Sequence, residues 1–236
     1  TLMSEMFDLK ITKKDIALLA QKAENKFVGM QCGIMDQFIS SLGETDSALL
    51  IDCRSLEFSS VPLSFAKQGL TIVITNSGVQ RGLVDSEYNT RRRECTQGSE
   101  IIQAKLDKPV KNLRDVTLSE FESVASQLPE MVRKRCRHVI SENERVLATV
   151  TALKNRDYKT VGKLMNESHY SLRDDFQVSC PEVDLLVKLT CAHSGVLGAR
   201  MTGAGFGGCT VAIMDSQAVE SFIQNVIPEY EKRSGK

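Results

Sequence analysis

No run of apolar residues in this 236-residue sequence approaches the roughly 18 needed to cross a bilayer. Nor does the start carry the charged region and apolar core of a secretory signal. Net charge is also missing: 30 Lys and Arg balance 30 Asp and Glu, which leaves no electrostatic footprint for nucleic acid or an anionic membrane. The seven cysteines (32, 53, 95, 136, 180, 191 and 209) form no C-x-x-C pair and are odd in number. That speaks against a disulfide framework or a structural zinc site and favours a reducing, cytoplasmic home. His138, His169 and His193 are dispersed without metal-ligand spacing, and there is no internal repeat or low-complexity linker.

What is present is ordinary globular composition, 42% hydrophobic and 25% charged, in a length that allows one large domain or two small ones. Thr12 is placed to cap a helix with Asp15 three residues on, and apolar residues recur on one face to about Phe27. A turn at Gly33 precedes a short helix that ends at Gly43. Residues 48–52 and 70–75 read as buried strands, short and branched. Further helices are expected over 84–106, 118–125, 129–153, 158–172, 182–192 and 217–230, with a strand–loop–strand at 199–214. Strands and helices interleave without strict alternation, so the fold class is α+β. The basic cluster of Arg91, Arg92 and Arg93 with Arg133, Lys134, Arg135 and Arg137 reads as solvated helix faces.

Two segments carry chemistry. In Gly33-Ile34-Met35-Asp36-Gln37-Phe38-Ile39-Ser40, a carboxylate stands one turn inside an apolar helix beside a glycine. Asp36 there either meets a ligand hydroxyl or is a helix N-terminal acid favoured by the macrodipole. The segment Gly203-Ala204-Gly205-Phe206-Gly207-Gly208 contains G-x-G-x-x-G, but a strand pattern, Cys209–Met214, follows it where a dinucleotide site needs a helix. No Gly-Lys-Ser/Thr follows either, which rules out a Walker A loop. A glycine hairpin between two strands and an anion-approaching loop both remain open.

Five blocks in series then resemble the galactokinases of the GHMP small-molecule kinase family. They are Cys32–Ser40, Ala48–Leu56, Ser86–Cys95, Glu167–Asp175 and Arg200–Cys209, within a resemblance that runs from Thr1 to about Asp215. The resemblance implies a two-domain kinase with its active site in the cleft between domains. Residues 1–62 would be the end of the N-terminal domain and 63–236 most of the C-terminal domain. It implies ATP-dependent, Mg²⁺-assisted phosphorylation of the anomeric hydroxyl of α-D-galactose, with Asp36 as general base. Gly33 and Tyr88 would contact the sugar. Thr202, Gly203, Gly205, Gly207 and Gly208 would form an active-site loop. Glu167, Ser168, His169, Arg173, Asp174 and Asp175 are expected to be scaffold, and Arg91–Arg93 to form structural ion pairs.

The family's other motifs, the sugar-binding acids and the glycine-serine loop for the nucleotide phosphates, are not found in these residues. The start therefore reads as a cut through a longer protein. The polypeptide alone is expected to lack most of its nucleotide site, to show no sugar kinase activity, and to leave the Mg²⁺ ligands unassigned. An N-acetylgalactosamine kinase and a non-catalytic galactose- and ATP-sensing regulator on the same fold are the alternatives.

Overall fold

Local capping chemistry sets most element boundaries. The computed structural model describes residues 2–29, 32–80 and 84–236, without the side chains of Met3, Val84, Asp85, Ser86 and Tyr88. Contacts divide the chain into two units, residues 1–64 and 65–236.

In the first unit, α1 (Leu2–Met6) precedes α2 (Lys13–Ala23). Thr12 Oγ1 accepts the Asp15 N–H at 3.1 Å and the Asp15 carboxylate accepts the Thr12 N–H at 3.1 Å, a complete capping box. The end of α2 widens into a π turn, Glu24–Val28, closed by Gly29 at φ 86°. Next comes α3 (Met35–Leu42), followed by β1 (Ser47–Asp52) paired antiparallel with β2 (Glu57–Pro62). Ala17, Ile34 and Phe38 form the core, with Leu49 and Ile51 of β1 packed against them. β1 is half-buried rather than buried: among the described residues its sheet has two strands, so β1 pairs along one edge. β2 was not legible in the sequence. Val61 alone is buried along it, so the segment shows no apolar alternation.

The second unit is built on a three-stranded antiparallel sheet in the order β3-β5-β4, with β3 at Leu70–Asn76, β4 at Val196–Met201 and β5 at Cys209–Asp215. Before β4 the chain runs through α4 (Val84–Leu106), α5 (Leu118–Val124), α6 (Glu130–Lys154), α7 (Tyr158–Ser171) and α8 (Pro181–Ala192). It closes with α9 (Val219–Ser234). Ala199, Ala212 and Met214 of the sheet pack with Val187, Phe222 and Val226 of α8 and α9. A separate helical core joins Ile102, Phe121, Val132, Cys136 and Ile140. β3 departs from the buried strand read in its sequence: it is an edge strand, and Ile72 and Ile74 are 45% and 68% exposed. A branched apolar run does not tell one covered face from two. No helix among the described residues is long and apolar enough to cross a membrane.

Candidate functional site

The approach to Asp36 is held by polar side chains. Cys32 is clamped at three points. Its N–H donates to Asn25 Oδ1 at 2.9 Å, its carbonyl accepts Gln21 Nε2 at 3.3 Å, and its thiol donates to Glu24 Oε2 at 2.9 Å. The Glu24 carboxylate pushes the Cys32 thiol above its ordinary value, which keeps it a protonated donor. Gln37 Nε2 donates to the same Glu24 oxygen at 2.9 Å, while Gln37 Oε1 is buried without a hydrogen-bond partner among the described residues.

Gly33 follows this clamp. Its φ is not left-handed, and a Cβ added to it would meet nothing within 4 Å among the described residues, so neither backbone conformation nor packing requires a glycine there. Asp36 is the second residue of α3, not one turn inside it. Its side chain is exposed, and it carries no hydrogen bond or ion pair among the described residues. The first turn of a helix favours a carboxylate through its unpaired N–H groups.

The glycine segment joins β4 to β5 as an antiparallel connection, so a strand does follow it. It is not a free hairpin. Thr202 N–H donates to Cys209 O at 2.9 Å, Phe206 N–H to Val178 O at 2.7 Å, and Gly208 N–H to Val79 O at 3.1 Å. Gly208 O in turn accepts the Ser77 N–H at 2.9 Å. Gly203, Gly205, Phe206, Gly207 and Gly208 all have positive φ. At Gly205 a Cβ would stand 2.2 Å from Val178 O, and at Gly207 2.7 Å from Val79 O. Glycine is therefore required there by both backbone and space. Gly203 and Ala204 are exposed, and the N–H groups of Gly203, Ala204, Gly205 and Gly207 have no acceptor among the described residues. Successive free N–H groups of this kind suit an anionic oxygen.

Tyr88 lies on α4, and its side chain falls outside the described residues. Arg91 and Arg135 correct the solvated-face expectation: they are 8% and 1% exposed. Arg91 donates to Phe176 O at 2.8 Å, to Gln177 O at 2.9 Å and to Glu87 at 3.1 Å. Arg135 donates to Glu94 at 2.7 Å, to Asp175 O at 2.5 Å and to Gln177 Oε1 at 3.0 Å. His169 is buried. Its Nδ1 accepts the Met201 N–H at 3.4 Å, and its Nε2 stands 3.3 Å from Asp184 Oδ1. Apart from the Arg91–Glu87 pair within α4, the partners of these residues lie on other elements, which no short-range pattern marks. Among the described residues, no group of three or more His, Cys, Asp or Glu side chains is placed to hold a metal ion.

Comparison with known proteins matches both ends of the chain to one family. The family model for the GHMP kinases N-terminal domain matches residues 1–44, and that for the GHMP kinases C terminal matches residues 149–232. Lactococcus lactis galactokinase, solved in complex with galactose, is 33% identical with a TM-score of 0.92, over 100% of this chain and 60% of that one. L. major mevalonate kinase, solved with R-mevalonate, aligns at 21% identity and a TM-score of 0.60, over 97% of this chain and 59% of that one. Methanococcus jannaschii mevalonate kinase aligns at 17% identity and a TM-score of 0.57, over 94% and 55%. The mevalonate kinases share the fold alone at these identities. The chain spans about 60% of the length of the galactokinase it matches. With the N- and C-terminal models in their proper order and the α+β fold in agreement, the chain belongs to the GHMP kinase family.

Proposed function

We propose that the protein is a galactokinase, transferring the γ-phosphoryl group of ATP to the anomeric hydroxyl of α-D-galactose and giving galactose 1-phosphate and ADP. The observation that carries this is the 33% identity, over the whole chain, to a galactokinase solved with galactose. In the proposed reaction the anomeric oxygen forms the new bond to phosphorus as the bond to ADP breaks. Asp36 takes the hydroxyl proton. Phosphoryl transfer demands mainly positioning and charge stabilisation, so an ordinary carboxylate suffices to orient the hydroxyl and accept its proton late. An exposed Asp36 with no partner among the described residues leaves its oxygens available for that bond. Gly33 and Tyr88 belong to the sugar site in the same proposal. Thr202, Gly203, Gly205, Gly207 and Gly208 belong to the loop that meets the reacting groups. Mg²⁺–ATP is the proposed co-substrate, and the residues named here act on the sugar and the transferred group. Residues 1–62 and 63–236 are proposed as parts of the N- and C-terminal kinase domains, with the division of contacts at residues 64 and 65 in support.

The test is a coupled ADP assay on the intact protein with galactose, N-acetylgalactosamine and other hexoses. Asp36→Asn is expected to lower kcat by about 10²–10⁴-fold, the range for a positioned general base, with KM for galactose little changed. Undiminished turnover removes Asp36 from the role. A preference for N-acetylgalactosamine, or sugar binding without turnover, replaces the proposed reaction with the kinase or sensor alternative.

A further inference from the structure

Phe206 is the odd residue in the glycine loop. It is a bulky side chain at φ 58°, flanked by glycines that adopt positive φ freely. A non-glycine residue keeps such a conformation only when its surroundings over-determine it. Here they do. It packs against the buried cluster of Val178, Val183 and Met201, its N–H donates to Val178 O at 2.7 Å, and the Arg91 guanidinium lies 6.0 Å from its ring centroid.

The seat is itself held from behind. The chain leaves α7 through a π turn, Leu172–Phe176, and reverses at Gln177 in the left-handed region. Such a turn leaves carbonyls without helical partners. Two buried arginines take them: Arg91 binds the carbonyls of Phe176 and Gln177, and Arg135 binds that of Asp175. Arg135 also reaches the Gln177 amide oxygen, and its charge is balanced by Glu94 at 2.7 Å. The next residue, Val178, presents its carbonyl to the loop.

We propose that Arg91 and Arg135 are positioning residues for the reaction, acting through the 175–178 backbone and the Phe206 ring to fix the glycine loop. The proposal rests on the loop's place in the reaction given above. It adds two residues whose guanidinium hydrogen bonds go to the chain itself. The guanidinium fork is essential to it, because each arginine makes three directional bonds that a lysine ammonium does not reproduce.

The experiment compares wild type with Arg91→Lys, Arg135→Lys and Phe206→Leu in the intact protein, by amide hydrogen exchange and steady-state kinetics. Exchange of the Phe206 and Gly208 amides is expected to rise at least about tenfold while α6 and β5 keep their protection. The kcat is expected to fall by about 10–100-fold, as for a displaced positioning element, with KM for the sugar changing much less. Unchanged protection at Phe206 in both arginine variants overturns the proposal, as does faster exchange with unaltered kcat. Should an arginine variant lose protection throughout α6, Phe206→Leu, which leaves both arginines in place, decides. A wild-type protein that phosphorylates no sugar overturns the proposed function, whereas the exchange data still decide whether the brace exists.

Discussion

Gly33 and Gly205 are glycines for opposite reasons. Gly205 sits at φ 88° with Val178 O 2.2 Å from where its Cβ would be, so the fold itself forbids a side chain. Gly33 has neither constraint: its φ is ordinary and no described residue occupies the space beside it. A methyl group there costs the protein nothing that the structure shows, so any penalty falls on a ligand. Gly33→Ala is expected to leave stability within about 0.5 kcal/mol of wild type, as for a surface change away from special features. It is expected to raise KM for galactose about tenfold or more, because displacing a ring by a bond length breaks its hydrogen bonds. Denaturant unfolding and sugar titration of the same preparation check both halves. An unaltered KM takes Gly33 out of the sugar site. Asp36 and Gly33 are proposed as site residues from their motif in the sequence. The Cys32 clamp was not legible there, because Gln21, Glu24 and Asn25 meet Cys32 only once α2 and its π turn have formed.

At the scale of elements, the junction of α7 with β4 decides where the glycine loop begins. β4 is an edge strand, and α7 covers it. Asn166 Oδ1 accepts the Ala199 N–H at 2.8 Å, and His169 Nδ1 accepts the Met201 N–H at 3.4 Å. Residues three apart on a helix share a face, so these two acceptors serve two alternate donors of the strand. The helix comes close because both surfaces are glycine. A Cβ on Gly162 would stand 2.2 Å from Leu197 O, and one on Gly198 2.1 Å from Gly162 O. Gly162→Ala or Gly198→Ala therefore forces backbone apart from backbone, and each is expected to destabilise by about 2–4 kcal/mol, at or above the usual cost of overpacking. The double variant is expected to cost less than the two together, since one separation relieves both clashes. Urea unfolding of the three variants measures this; additive effects would show that the glycines act independently. Helix limits were readable from caps and periodicity, as at Thr12, where the expected capping box forms. The α7–β4 contact was not, because a glycine inside a helix pattern carries no local mark of what lies against it.

Over the whole molecule, the balance of 30 positive and 30 negative residues conceals where the charges lie. In the second unit several are folded inward. Arg135 pairs with Glu94, Arg145 with Glu142, and Ser168 Oγ donates to Glu142 Oε2 at 2.7 Å. His138 sits inside this network, stacked on Phe176 with ring centroids 4.5 Å apart. The Ser171 hydroxyl donates to Asp175 Oδ2 at 3.1 Å, so its oxygen accepts the Nδ1–H of a neutral His138 at 3.0 Å. Burial, with the charges of Arg145, Arg200 and Arg135, pushes His138 from the ordinary 6.5 down to about 3. The consequence has a definite sign. Between those values the unfolded chain binds a proton that the folded chain refuses, so stability is fully present above pH 6.5 and is lost as pH falls toward 3. At ~1.4 kcal/mol for each pH unit, the loss from this one group between pH 6.5 and 4.5 is on the order of 2–3 kcal/mol. His138→Asn keeps an amide donor toward Ser171 but does not titrate. It is expected to be less stable than wild type at pH 7, through lost stacking on Phe176, and to lose less on acidification. The gap between the two proteins should therefore narrow by that amount from pH 7 to pH 4.5. Urea unfolding at the two pH values reads the gap directly; parallel losses would mean that His138 is protonated in the folded protein, and that the buried network tolerates the charge.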